Sequence, residues 1–422
     1  MDDSDDPNNL PEFLESGIYR FPYSNAAFID PVRSLNRSYR RFKLSPSAYY
    51  CRSFPSVPDT QDAAEVVPTE NPKKRSRRAK KKKKDVALNE REREADRRHQ
   101  EARPFLAKAH EALLRASELR RCMLSLRRNG EIDSADDQEK VSFVELGLLW
   151  QAPFYEMTIN FAQQEKRVGN GGESGNRVGE KRVVNAFSNL VCNDTSDDAE
   201  AEFLNCRYVL PRDSCFYMSD LLQIHNLIPA VAEPGFHLIV IDPPWENASA
   251  HQKLRYPTLP NRYFLSLPIN ELAHREGAIV ALWLTNREKF HRFVEKELFP
   301  SWGVKHIATL YWLKVKPDGS LLCNLDLSHH RPYEYLLLGH YDNEGKDLEY
   351  LSQLGNKLDK TVIMSVPGDY SRKPPVEDLL CQYIPCKEPR CIELFAREMR
   401  HGWISWGNEP LHFQQSKYFH KE

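Results

Sequence analysis

The apolar positions of this chain change period near residue 183. Before that point, Leu106, Ala109, Leu113, Leu114, Ala116, Leu119 and Met123 recur at spacings of three and four. That is the stripe of a helix burying one face. It lies in a stretch rich in Glu, Arg, Ala and Leu over 86–128. Pro104 falls inside the stretch and is expected to split it into two helices or to start the second. A further helix is expected over 141–164. A Gly-rich charged loop over 165–182 closes this helical middle region, assigned to 86–182.

From 183 to 422 short apolar runs take over, at 215–219, 237–241, 278–284, 307–315, 334–339, 361–366 and 390–395. Helix-like segments at 220–227, 269–274, 287–298 and 376–383 separate them. Several runs are continuously apolar, as expected of strands covered on both faces. Alternating strands and helices predict a doubly wound, Rossmann-like α/β domain, which binds ligands beyond the carboxyl ends of its strands.

The N-terminal 1–56 differs from both regions. After an acidic start, Tyr19, Phe21, Tyr23, Phe28, Phe42, Tyr49 and Tyr50 interleave with Arg33, Arg37, Arg40 and Arg41. So many aromatics predict a segment docked onto the main domain. A surface that stacks bases and binds phosphates is compatible with that reading.

Bulk charge adds little, because 59 Lys and Arg balance 60 Asp and Glu to a net −1. The distribution adds more. In the linker at 57–85, ten of the twelve residues from 73 to 84 are basic. Such a run reads as a nuclear-localisation signal or a nucleic-acid patch. Nine scattered cysteines predict no disulfide framework and a reducing compartment. The longest apolar runs are strand length, so no membrane span and no membrane partner are expected. Cys381, Cys386 and Cys391 lack the spacing of a zinc site, and His329, His330 and Glu334 precede a strand, so no metal is expected.

The most informative run is Leu238-Ile239-Val240-Ile241 opening into Asp242-Pro243-Pro244-Trp245. Two prolines stop the strand and fix the carbonyls of a rigid turn. The Asp242 carboxylate and the Pro243 carbonyl then form a pair of acceptors. Such a pair can hold both N–H groups of adenine's exocyclic amine, orient its lone pair and stabilise charge developing on the nitrogen. Trp245 offers a flat face for the base, and the alternative is a tryptophan of the core.

This run resembles the eukaryotic MTA-type adenine-N6 methyltransferases. The resemblance covers about 214–414 and continues through Trp283-Leu284-Thr285-Asn286, Tyr311-Trp312-Leu313-Lys314, Arg331-Pro332-Tyr333-Glu334, Ser371-Arg372-Lys373-Pro374-Pro375, Leu394-Phe395-Ala396-Arg397 and Gly407-Asn408. Within that family it looks most like the methyltransferase-like protein four subfamily. The resemblance implies S-adenosyl-L-methionine as cofactor, with Asp220 and Leu221 at its adenine and Asp242 at its amino group. It further implies Lys373 at the donor's carboxylate, and Arg397 and Asn408, with Glu409 alongside, at its ribose. Asn247, Tyr256, Lys314 and Glu334 match substrate-side or supporting positions.

The implied substrate is single-stranded or loop RNA, at an internal 2′-O-methyladenosine of a spliceosomal small nuclear RNA (U2), without need of a partner subunit. DNA adenine methylation is the rival within enzymes. A catalytically inactive RNA-binding scaffold is the rival of another class. One departure stands out: Ala396-Arg397-Glu398-Met399-Arg400 replaces the family's Gly-Arg-Pro-His-Asn, so Met399 and Arg400 are weak candidates for ribose contacts.

Overall fold

The computed structural model describes residues 9–51, 89–126, 142–161, 180–231, 234–246, 258–327, 331–342, 348–369 and 371–422. The N-terminal part gives β1 (Ile18–Arg20), β2 (Ala26–Ile29) and β3 (Phe42–Leu44), with a helix α1 (Asn9–Ser16) before them. Two further helices follow, α2 (Glu90–Arg115) and α3 (Ser117–Ser125). The middle holds a short helix α4 (Phe143–Gly147) and the strands β4 (Glu156–Asn160), β5 (Lys181–Asn185), β6 (Leu190–Asn193), β7 (Ala199–Phe203) and β8 (Cys206–Leu210). The C-terminal half supplies β9 (Ser214–Met218), β10 (Leu238–Ile241), β11 (Ala278–Leu284), β12 (Val304–Lys314), β13 (Tyr333–Tyr341), β14 (Val362–Ser365), β15 (Cys391–Leu394), β16 (Trp403–Gly407) and β17 (Phe419–Lys421).

Eleven strands form one sheet in the order β1-β2-β14-β12-β13-β11-β10-β15-β16-β9-β6. The run β11-β10-β15-β16-β9 is parallel throughout, and only β13 runs against its neighbours in the interior. Strand residues alternate between two cores. Ile239, Ile241, Val280 and Leu282 join one, while Leu238, Val240, Ile279 and Ala281 join the other. Both faces are therefore covered, which is why these strands read as unbroken apolar runs.

The helical stripe packs onto one face of this sheet: Leu106, Leu113 and Leu119 are fully buried in the core that also holds Ile239 and Leu282. Burying each such leucine contributes about 1.5–3 kcal/mol. Contrary to expectation, α2 runs unbroken through Pro104. Pro104 lies on the exposed face, so water solvates the carbonyl it leaves unpaired, and the buried residues on both sides of it hold the helix straight through. The break comes at Ala116 instead, where ψ is 82°.

The helix expected over 141–164 is corrected. Among the described residues only α4 and a 3-10 turn at Ala152–Phe154 are helical, and residues 156–160 are strand β4, with Met157 and Ile159 turned inward. It joins a four-stranded antiparallel sheet, β5-β4-β7-β8. The division drawn between 182 and 183 thus cuts β5. The segment expected to dock does more than dock: β2 pairs in parallel with β14 and extends the main sheet. Its aromatics Phe13, Tyr19, Phe28, Tyr49 and Tyr50 are buried in the shared core. Cys192 and Cys215, opposite one another in the β6–β9 register, are disulfide-bonded, an exception to the expected absence of disulfides that only strand pairing could bring about. No helix among the described residues is long and apolar enough to cross a membrane.

Candidate active site

Parallel strands that are neighbours in a sheet end side by side. The order β11-β10-β15-β16-β9 therefore gathers the carboxyl ends of five strands along one edge. Asp220 follows β9, Asp242 follows β10, Thr285 follows β11, Arg397 lies three residues beyond β15, and Asn408 follows β16. Lys314 ends β12, which runs the same way as β11, and Glu334 sits at the start of the oppositely directed β13. All seven line one cavity of about 850 Å³, with Pro243, Pro244, Leu221, Lys373 and Glu409. Residues scattered over nearly two hundred positions thus converge for a topological reason.

The charged centre is a chain of alternating signs. Lys373 Nζ lies 3.1 Å from Asp242 Oδ1 and 3.3 Å from Glu334 Oε2. Glu334 also accepts a hydrogen bond from Lys314 Nζ. Lys373 is 8% exposed at its side chain, and the Trp283 and Trp312 rings lie 5.9 and 6.0 Å from its ammonium. Burial pushes the Lys373 ammonium towards losing its proton, but the Asp242 and Glu334 carboxylates outweigh it and raise its pKa. Burial likewise works against an ionised Glu334, yet the two lysines hold its carboxyl down at about 2. Lys373 thus faces two carboxylates of the protein while it lines the cavity.

The turn itself is pinned. Pro243 O accepts from Trp245 N at 2.8 Å, and Pro244 O accepts from Leu259 N at 3.0 Å. A carbonyl has two lone pairs, so Pro243 keeps one for a ligand. Trp245 meets the alternative weighed for it: its ring is 5% exposed, its Nε1 donates to Trp283 O at 2.9 Å, and Phe290 stacks on it at 5.0 Å. One face is already covered by Phe290, so the ring anchors the turn and shows the cavity little of its surface.

Asp220 caps a short 3-10 helix (Leu221–Asn226) by accepting from Gln223 N at 3.1 Å. Glu409 pairs with His412 at 3.0 Å. Phe395 and Ser371, both lining the cavity, sit at φ 62°, the left-handed region where non-glycine residues are strained. Such strain clusters at binding sites, and here it turns the chain off the end of β15. Met399 is buried against the four-stranded sheet, and Arg400 lies 3.3–3.6 Å from Glu393, Glu398 and Glu377, so neither reaches the cavity. Asn247 and Tyr256 lie outside the described residues, as do His329 and His330.

Some lining residues were given no role from the sequence. Thr285 Oγ1 and Asn286 Oδ1 are buried without a hydrogen-bond partner among the described residues, and both residues belong to the cavity wall. Buried polar atoms left unpaired cost free energy that a ligand can recover. Their position directly after an apolar strand was the available signal. Ala95, Val144 and Leu148 complete the wall from the helical part of the chain, and no sequence pattern announced them.

Fold and site together define a doubly wound α/β domain with an acidic Asp-Pro-Pro-Trp turn at the carboxyl edge of its sheet. Residues 236–409 match the MT-A70 family. The N(6)-adenine-specific methyltransferase METTL4 of Mus musculus is 38% identical over 236 residues, 55% of this chain and 49% of the relative. The N6-methyladenosine RNA methyltransferase MTA1 of Pyricularia oryzae is 30% identical over 260 residues, 60% of this chain and 65% of that protein. The DNA N6-methyl methyltransferase of Caenorhabditis elegans is 32% identical over 219 residues, 50% and 56% of the two chains. The chain spans about half the length of the METTL4 relatives.

Proposed function

We propose that this chain is an S-adenosyl-L-methionine-dependent methyltransferase that acts on adenine N6 in RNA, at an internal 2′-O-methyladenosine of the U2 small nuclear RNA. The observation that carries the reaction class is Asp242 at the carboxyl end of β10, facing the cavity beside a Pro243 carbonyl with a lone pair to spare. Those two acceptors hold the amine's N–H groups and turn its lone pair outward, which lowers the entropic cost of reaching the reactive arrangement. The residues present fit the donor. Asp220, Leu221, Arg397 and Asn408 would hold its adenosine, and Lys373 would face its carboxylate, with Thr285 and Asn286 in the same wall. When bound, the donor supplies an electrophilic methyl group on a sulfonium.

Three further parts of the reading are inferences of the same kind. RNA is preferred over DNA because a base must leave its stack to enter the cavity, which costs least in single strands and loops. An intact acidic turn and a buried Lys373 support an active enzyme over a scaffold, and the reading needs no partner subunit. Residues 73–84 direct the chain to the nucleus, with a cytosolic fraction allowed.

The test is a matched set of oligonucleotides: RNA with adenosine, RNA with 2′-O-methyladenosine, and DNA, each single- and double-stranded, compared by kcat/KM. Single-stranded RNA with 2′-O-methyladenosine is expected to be the best. A preference for duplex DNA overturns the RNA assignment, and equal rates on the two adenosines remove the 2′-O-methyl substrate.

A further inference from the structure

A base held at Asp242 belongs to a strand, and its neighbours must lie on the rim of the cavity. One stretch of that rim has unusual chemistry. Val144 and Leu148, in and just after α4, line the same cavity as Asp242. The turn that continues from them shows Leu148, Trp150 and Phe154 to solvent at 75%, 78% and 73%. Trp150 and Phe154 meet edge to face, with ring centroids 6.5 Å apart. Large apolar side chains this exposed and this close together mark an interaction surface.

The turn is also stiff. Consecutive backbone bonds, Leu148 N to Glu145 O, Leu149 N to Leu146 O, Ala152 N to Leu149 O and Phe154 N to Gln151 O, run from 2.8 to 3.2 Å. Phe143 anchors its start by stacking on Phe203 at 5.8 Å, and buried Ala152 fixes its middle. The folding of the middle sheet therefore pays in advance for the ordering of this surface. Binding on it loses less conformational entropy than binding on a flexible loop.

We propose that Trp150 and Phe154 form a stacking platform for the nucleotide next to the target adenine, continuous with the catalytic cavity through Leu148. This rests on the nucleic-acid reading above and extends it to a subsite outside the residues that match the MT-A70 family. Stacking suits the role because every base has a π-face, so the platform holds the strand without reading its sequence. The continuity with the cavity selects the substrate strand as occupant. A protein partner or a second copy of the chain are the alternatives that the experiment separates.

The experiment uses the full chain and a single-stranded RNA oligonucleotide carrying 2-aminopurine beside the target adenine. Wild type is expected to quench the probe there, and less at a position five nucleotides away. Trp150→Ala with Phe154→Ala is expected to raise the oligonucleotide Kd about ten-fold, the scale of one stacked base. Donor affinity by calorimetry and the melting temperature are expected to be unchanged, because both side chains are exposed. Trp150→Tyr is expected to restore most of the affinity. An unchanged Kd, or quenching equal at both positions, overturns the platform. So does a wild-type dimer in sedimentation that the double variant abolishes, since that makes the surface a protein interface. Binding is read without turnover, so the two readings fail separately. A chain that quenches the probe but methylates no adenine loses the proposed function and keeps the platform. A chain that methylates normally but ignores the double substitution does the reverse.

Discussion

Glu334→Gln tests whether the charged centre is as tightly coupled as its geometry implies. Glutamine is close in shape to a protonated glutamate, so the substitution measures what ionisation at this position contributes. The carboxyl moves from 4.5 to about 2 because Lys314 and Lys373 outweigh the cost of its burial. Its side chain is 14% exposed, so little is lost to solvent screening. A shift of this size corresponds to roughly 3 kcal/mol. The sign follows from linkage: a carboxyl whose folded pKa is depressed contributes stability fully above its unfolded pKa, and loses it as pH falls through the folded one. The contribution is therefore whole at neutral pH, begins to fall below about pH 4.5 and is down to roughly 1 kcal/mol at pH 3. Urea unfolding of wild type and variant at both pH values reads the difference directly. The variant is expected to be less stable by roughly 3 kcal/mol at pH 7, with the gap more than halved at pH 3. A gap below about 0.5 kcal/mol at pH 7, within the range of ordinary surface substitutions, refutes the coupling. A gap that does not change with pH refutes the electrostatic origin.

Asp242→Ala is expected to leave the circular dichroism spectrum intact and to reduce methyl transfer below a tenth of wild type, a rise of at least about 1.4 kcal/mol in the barrier. Greater residual activity removes Asp242 from the chemistry. Lys373→Ala and Asn408→Ala are each expected to weaken donor binding in calorimetry more than oligonucleotide binding. Unchanged donor affinity in both rejects the pocket assignment. Phe28, fully buried on β2, is expected to cost about 3–5 kcal/mol when replaced by alanine, seen as an earlier urea midpoint, since β2 is part of the main sheet. A stability loss of under about 1 kcal/mol would mean that the N-terminal strands are only a loose attachment.

The alternation of apolar runs with helical segments located β9, β10, β11 and β15 to within a few residues, and 278–284 matches β11 end to end, whereas β16 at Trp403–Gly407 was not among the expected runs. Those four strands are legible because both faces are buried, so nearly all of their residues are apolar. The Asp-Pro-Pro-Trp turn is legible because its residue types are tied to one backbone shape. The antiparallel β4 was misread as helix because five residues with only Met157 and Ile159 buried carry too short a pattern to outweigh helix-forming neighbours. Trp245 packs on Phe290 and also lines the cavity, a placement that the sequence alone did not give.

The sequence by itself determined the local conformations: which runs are strands, which stripe is a helix face and where a strand must stop at two prolines. These follow from sterics and burial within a few residues. Only the tertiary structure decided which strand ends stand side by side, and so brought Asp242, Glu334 and Lys373 within 3.1–3.3 Å across more than a hundred residues. Tertiary structure also added β1 and β2 to the sheet edge and carried Leu148 to the cavity wall. Such pairings depend on long-range register and loop closure, which no local pattern of side chains encodes.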